Sequence, residues 1–183
     1  MRIKKIKRQL YIIVRLPLLV KLGLFLVNRK YRELALICEK RLRKNKVDEI
    51  ALFYQLFGYI NQKEYDKAKP YFFKMFETQE LSTKTKERFI KSVIRSDLTN
   101  NKFKDVIQDC NKILVGEKSL ELQKLLKKFL CNANYKLWNF DEVKKLCAEL
   151  NRDFADDIEI SKFTKGYYEA IEFEIDKKNN LHT

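Results

Sequence analysis

The sequence predicts an all-α protein made of antiparallel helical hairpins, and three observations predict it. Helix breakers are scarce: 183 residues contain only 4 Gly and 2 Pro, and each of these inside a helix costs roughly 1 to 3 kcal/mol. A short pattern recurs four times, an aromatic followed by an apolar residue at +3 and by Cys or Phe at +7. Between its copies run segments whose apolar residues repeat at the helical period rather than alternating as in strands.

Taken in chain order, the first segment is "MRIKKIKRQLYIIVRLPLLVKLGLFLVN". At helical spacing Ile3, Ile6, Leu10, Ile13 and Val14 fall on one side and Arg2, Lys4, Lys5, Arg8 and Gln9 on the other. That arrangement is a basic amphipathic helix over residues 1–16. Pro17 suits the first position of a new helix, and residues 17–27 are apolar all round except for Lys21. A secretory signal fits the basic start, but Arg15 breaks the apolar stretch and no small-residue cleavage site follows. A membrane-spanning helix over 10–27 would have to hold Arg15, Pro17 and Lys21. Packing of both pieces as core or cap would leave the lysines merely solvated. The concentration of charge favours a helix lying in an anionic interface and running into the first repeat.

The repeat copies come next. "NRKYRELALIC" places Tyr31, Leu34 and Cys38; "NQKEYDKAKPYF" places Tyr65, Ala68 and Phe72. "NNKFKDVIQDC" places Phe103, Val106 and Cys110; "LWNFDEVKKLC" places Phe140, Val143 and Cys147. The lead aromatics stand 34, 38 and 37 residues apart, a period typical of helical-hairpin repeats. Each triplet shares one helical face and follows a polar, Asn-rich corner, so each marks the second helix of a hairpin. The first helices are "EIALFYQLFGYI" (49–60), "KERFIKSVIRSDL" (86–98) and "LELQKLLKKFLCNANYKL" (120–137). The helix at 49–60 has two apolar flanks, Ile50, Phe53, Phe57 and Ile60 against Leu52, Leu56 and Tyr59. A helix apolar on both sides packs against neighbours on both sides, as in a solenoid. A last helix at 157–175 turns Ile160, Phe163, Tyr167, Ala170 and Ile171 inward and its acids outward, which reads as a C-terminal cap.

Residues 49–77 resemble a tetratricopeptide (TPR) repeat. Tyr59 matches the inner aromatic of that family's first helix, and Tyr65, Ala68 and Phe72 match the aromatic, small and large positions of its second. Leu52 and Leu56 replace the expected Trp and Gly, no repeat ends in the family's proline, and Leu34, Val106 and Val143 replace the alanine. The resemblance spans about 17–151 and implies a right-handed superhelix, a TPR-like α-solenoid. The expected organisation is a basic segment 1–16, about four hairpins plus cap over 17–177, and a disordered tail at 178–183.

Charge is uneven. Residues 1–50 hold 15 Lys and Arg against 4 Asp and Glu, whereas 51–183 hold 24 against 21. A basic head fits an anionic membrane leaflet at least as well as nucleic acid. The four cysteines lack paired spacing, and three of them share one repeat position, which favours packing over metal or redox chemistry. No phosphate loop, nucleophile elbow or metalloprotease motif occurs, and the single histidine, His182, is next to last. The expectation is a non-enzymatic protein without cofactor or metal.

The TPR resemblance implies a concave groove lined by the first helix of each hairpin. Carried over by register, its partner-binding residues are Phe53, Phe57 and Asn61, then Arg88, Lys91 and Arg95, then Lys128, Asn132 and Tyr135. Lys91, Arg95, Lys128 and Asn132 would suit an acidic or C-terminal carboxylate group of a peptide. The residues expected at the membrane interface are Arg2, Ile3, Lys4, Lys5, Ile6, Arg8, Leu10 and Ile13. Together these features predict an adaptor held at the cytoplasmic face of a membrane, and the Lys, Asn and Ile richness is that of an AT-rich bacterial genome. Two alternatives stay open: nucleic-acid binding through the basic half, and a small subunit of an obligate complex.

Overall fold

A computed structural model describes residues 20–45, 48–77 and 82–180. Among them every regular element is an α-helix: α1 at 20–27, α2 Tyr31–Lys44, α3 Glu49–Asn61, α4 Tyr65–Glu77, α5 Thr83–Thr99, α6 Phe103–Leu114, α7 Leu120–Lys136, α8 Phe140–Asp153 and α9 Ile158–Asn180. The chain divides into two compact units, Met1–Leu81 and Ser82–Thr183. In the first, α2 packs on α3 and α3 on α4; in the second, α5 to α9 pack consecutively and α5 also meets α7.

The four hairpins close on one corner geometry. Arg29, Lys63, Asn101 and Trp138 have φ of 55°, 59°, 58° and 62°. In each corner the next residue donates its backbone N–H five residues back: Lys30 to Phe25 (2.8 Å), Glu64 to Tyr59 (3.0 Å), Lys102 to Asp97 (2.9 Å) and Asn139 to Asn134 (2.9 Å). The left-handed residue itself bonds three back, as Asn101 does to Leu98 at 3.2 Å. This is a Schellman motif, which satisfies carbonyls left over at a helix end. The residue closing it then accepts the first hydrogen bond of the following helix, as Lys30 does from Leu34 at 3.0 Å. One residue thus ends one helix and starts the next, and none of the four left-handed positions is glycine.

The repeat pattern coincides with burial. Leu34, Ala68, Val106 and Val143 at +3, and Cys38, Phe72, Cys110 and Cys147 at +7, are all fully buried. Their lead aromatics are all half-buried. A further equivalent position lies nine residues before each aromatic, where Leu22, Leu56, Ile94 and Cys131 are also fully buried.

The starts of α3, α5 and α9 are capped by side chains, whereas Ser119 before α7 makes no side-chain cap. The Asp48 carboxylate accepts from the Ala51 N–H at 3.2 Å and pairs with Arg41 of α2. The Ser82 hydroxyl accepts from Thr85 N–H at 3.3 Å. Asp157 accepts from Glu159 and Ile160 N–H at 2.9 and 3.2 Å. Such caps satisfy orphan donors at helix starts.

The last helix departs from the expected boundary. It continues to Asn180, so 178–180 are helical rather than tail, and residues 181–183 lie outside the described residues. Ile160 and Ile171 are buried as expected, but Phe173 and Ile175 near its end are exposed, so its outer face is not wholly polar.

Candidate functional site

The residues expected to bind a partner fall into both units. Phe53, Phe57 and Asn61 belong to α3 in the first; Arg88, Lys91, Arg95, Lys128, Asn132 and Tyr135 belong to α5 and α7 in the second. Each group therefore stands as a surface of its own.

On α3, Phe53 and Phe57 stack with ring centroids 5.9 Å apart and are half-buried, while Leu52 and Leu56 on the other side are fully enclosed. Asn61 is exposed and donates its amide back to the Phe57 carbonyl at 2.7 Å. Its side chain is spent on its own helix end. The apolar half of the expected site is thus a Phe53–Phe57 ledge.

In the second unit a groove of about 560 Å³ runs across α5, α7 and the start of α9. Both Lys91 and Lys128 line it, together with Leu125 and Ile160. Arg88, Arg95, Asn132 and Tyr135 do not. The groove also differs in charge from the expected basic clamp. Lys84, Lys91, Lys124 and Lys128 are matched by Glu87, Glu121, Asp157 and Glu159. Lys91 pairs with Glu87 one turn earlier, and Lys124 pairs with Glu121 at 3.0 Å and Asp157 at 3.1 Å. The hydrogen bond to Glu121, followed by that to Asp157, holds the Lys124 ammonium above its ordinary value despite burial. Lys124 holds the Asp157 carboxyl below its own. Lys128 makes no ion pair among the described residues; its ammonium sits 5.0 Å from the Phe163 ring centroid, a cation–π placement.

Tyr135 lies half-buried at a seam. Its ring lies 5.7 Å from Phe140 and 5.5 Å from Tyr167, joining α7, α8 and α9. Register alone could not separate a groove residue from one at the seam of three helices.

A second groove was not visible in the sequence pattern. In the first unit Glu39, Leu42 and Arg43 of α2 and Pro70, Tyr71 and Lys74 of α4 enclose about 470 Å³. Burial pushes the Tyr71 hydroxyl up, and Tyr59 and Glu39 add to it. The Tyr59 ring lies 5.6 Å from that of Tyr71, and its hydroxyl accepts from Gln55 at 3.0 Å. Apart from Leu52 of α3, the lining residues of this groove sit on the second helices α2 and α4, whose outer sides the TPR resemblance assigns no role.

All four cysteines are free and buried. Burial, with Asp48 adding to it, pushes the Cys38 thiol from 9.0 up to about 12. Burial likewise raises Cys110. The hydrogen bond to Cys147 and then burial raise Cys131. Thiols raised in this way are inert as nucleophiles at neutral pH. Among the described residues no group of His, Cys, Asp and Glu is placed to hold a metal.

The membrane-interface residues Arg2, Ile3, Lys4, Lys5, Ile6, Arg8, Leu10 and Ile13 lie outside the described residues. Among those described, no helix is long and apolar enough to cross a membrane. Comparison with known proteins adds no relative to this picture: no family model, no curated protein and no solved structure matches the chain.

Proposed function

We propose that this protein is a non-enzymatic adaptor whose hairpins stack in the manner of a right-handed TPR-like superhelix. Its outward first-helix surfaces dock a protein or peptide partner. The groove of about 560 Å³ across α5, α7 and α9 carries this reading. It is open and lined by long charged side chains around Leu125 and Ile160, which suits an extended peptide segment laid across it. Its balanced charge favours a segment of mixed sign over a purely acidic one, with Lys84 and Lys128 as the groove cations without an ion pair among the described residues and so free to meet a carboxylate. The basic N-terminal segment tethers the adaptor to the cytoplasmic face of a bacterial membrane.

Affinity purification of the tagged full chain tests the docking half. Proteins retained by wild type and by Arg95→Ala, but lost from Lys91→Glu/Lys128→Glu, are the expected result. The reading fails if the same proteins co-purify with the groove variant. The tether half is tested by flotation with vesicles containing anionic lipid, which Arg2→Gln/Lys4→Gln/Lys5→Gln should impair.

A further inference from the structure

The first hairpin carries a surface that the packing of the described residues does not use. On α1, Val20, Leu24 and Val27 are 55, 57 and 79% exposed, while Leu22 on the opposite side is fully buried. Their spacing of four and three residues puts them in one stripe. On the outer side of α2, Leu36 is 67% exposed among the exposed Arg32, Lys40 and Arg43. Aliphatic side chains exposed one at a time are ordinary; a stripe of them on one helix is not.

The charges around this stripe are equally unspent. Residues 20–45 contain eight Lys and Arg against two Glu. Of these cations only Arg41 is held, by Asp48. Lys21, Arg29, Lys30, Arg32, Lys40, Arg43 and Lys44 are all exposed, and none makes an ion pair among the described residues. The second unit ties Lys86, Lys124 and Lys127 to acids outside their own helices but leaves other cations such as Lys128 unpaired among the described residues; what sets the hairpin apart is that its cations surround exposed aliphatics and outnumber its acids eight to two.

We infer that the α1–α2 hairpin is itself a docking face for an anionic lipid bilayer, with Val20, Leu24 and Val27 entering the headgroup boundary and the surrounding cations meeting lipid phosphates. Exposed aliphatics flanked by unpaired Lys and Arg are the pairing that interfacial elements use. The same chemistry continues into the chain before it, since residues 1–19 hold six Lys and Arg and no acid. A second copy fits worse, because a two-fold contact would set these like charges against each other. Nucleic acid fits worse too: among its described residues the hairpin offers no exposed aromatic to stack on bases, Tyr31 being half-buried. This inference extends the tether reading, and rests on it, by moving part of the contact from the leading segment onto the folded hairpin.

The test uses the full chain on phosphatidylcholine vesicles with and without phosphatidylserine. One variant carries Val20→Ser/Leu24→Ser/Val27→Ser; a second carries Arg32→Gln/Lys40→Gln/Arg43→Gln. Because all six positions are exposed, both variants should keep the wild-type circular dichroism and melting temperature, and the charge variant stands as evidence even if the apolar one is unstable. Each is expected to lower partitioning onto the anionic vesicles by about tenfold or more, given the contribution of each basic residue and buried aliphatic at a leaflet. Flotation of both variants at the wild-type level overturns the inference. Loss in the Arg2→Gln/Lys4→Gln/Lys5→Gln chain alone leaves the tether reading standing and removes this one. Loss in the hairpin variants alone supports the inference and keeps the membrane attachment of the tether reading while removing the leading segment from the contact. Equal binding of wild type to neutral vesicles, or a stripe variant that abolishes self-association while floating normally, also overturns it.

Discussion

The two units share a repeat and differ in how it is fastened. In both, the +3 and +7 positions are sealed in the core and the corners close through the same left-handed residue. The second unit then ties its helices across with ions: Lys86 to Glu117 at 3.0 Å, Lys124 to Asp157 at 3.1 Å, and Lys127 to Glu149 and Asp153, both at 2.9 Å. In the first unit Arg41 reaches Asp48 in the same way, but α3 and α4 meet through aromatic rings, Tyr59 lying 5.6 Å from Tyr71. A repeat therefore fixes which positions are buried without fixing what binds neighbouring helices. The spare cations of α1 and α2 are left for the surroundings; Lys86, Lys124 and Lys127 are consumed within the fold.

The strongest way to break this comparison is at the +7 slot. Phe72→Ala should destabilise the first unit by about 3–5 kcal/mol, since a large side chain leaves a cavity. Cys110→Ala at the equivalent place should cost only about 1 kcal/mol. Hydrogen exchange resolved over 48–77 and 103–114 reads both, and equal effects would mean that the slots are not equivalent.

Ion pairs sharpen the contrast. Arg41→Met leaves Asp48, only 3% exposed, without its guanidinium, and should cost about 2–3 kcal/mol by denaturant unfolding. Lys127→Met leaves two acids that are each more than a quarter exposed, so solvent screening holds its cost to about 1 kcal/mol. If Lys127→Met proves the costlier, cross-helix ions matter more than the geometry implies.

The corners offer a change in the opposite direction. Lys63 holds φ of 59° with a full side chain, so Lys63→Gly should stabilise by about 0.5–1 kcal/mol through relief of left-handed strain. Asn101→Gly should gain less, because Asn tolerates that region. A melting-temperature series over the four corners checks the ranking.

The smallest expected effect is acid sensitivity. Hydrogen bonds from Lys127 and then Arg152 hold the Asp153 carboxyl below its ordinary 3.8, and Lys124 does the same for Asp157. A carboxyl lowered by folding contributes stability above its ordinary value and loses it as pH falls through the lowered one. Protection over 140–160 should therefore fall at acid pH before that of the first unit. A control carrying Asp153→Asn together with Asp157→Asn should abolish the difference.

Much of the fold was legible because a helical period reports burial locally. The helix expected at 49–60 is Glu49–Asn61 and that at 120–137 is Leu120–Lys136. Each residue assigned to +3 and +7 is buried. The candidate site was less legible. Lys91 and Lys128 share a groove, but Tyr135 is a seam residue and Asn61 caps its own helix. Register gives the side of a helix that a residue faces, not what an adjacent helix places beside it.

By itself the sequence determined the all-helical class, the hairpin period, the core positions and the basic bias of the first hairpin, because each follows from spacing and composition along one chain. Tertiary structure decided which cations are spent and which are spare. It also decided that the groove is balanced in charge and that Trp138 and three other non-glycine residues take the left-handed corner. The pairing and the charge balance depend on groups brought together from separate helices, which no single helix specifies; the corners close through hydrogen bonds within one hairpin, but without glycine the sequence does not mark their left-handed residue.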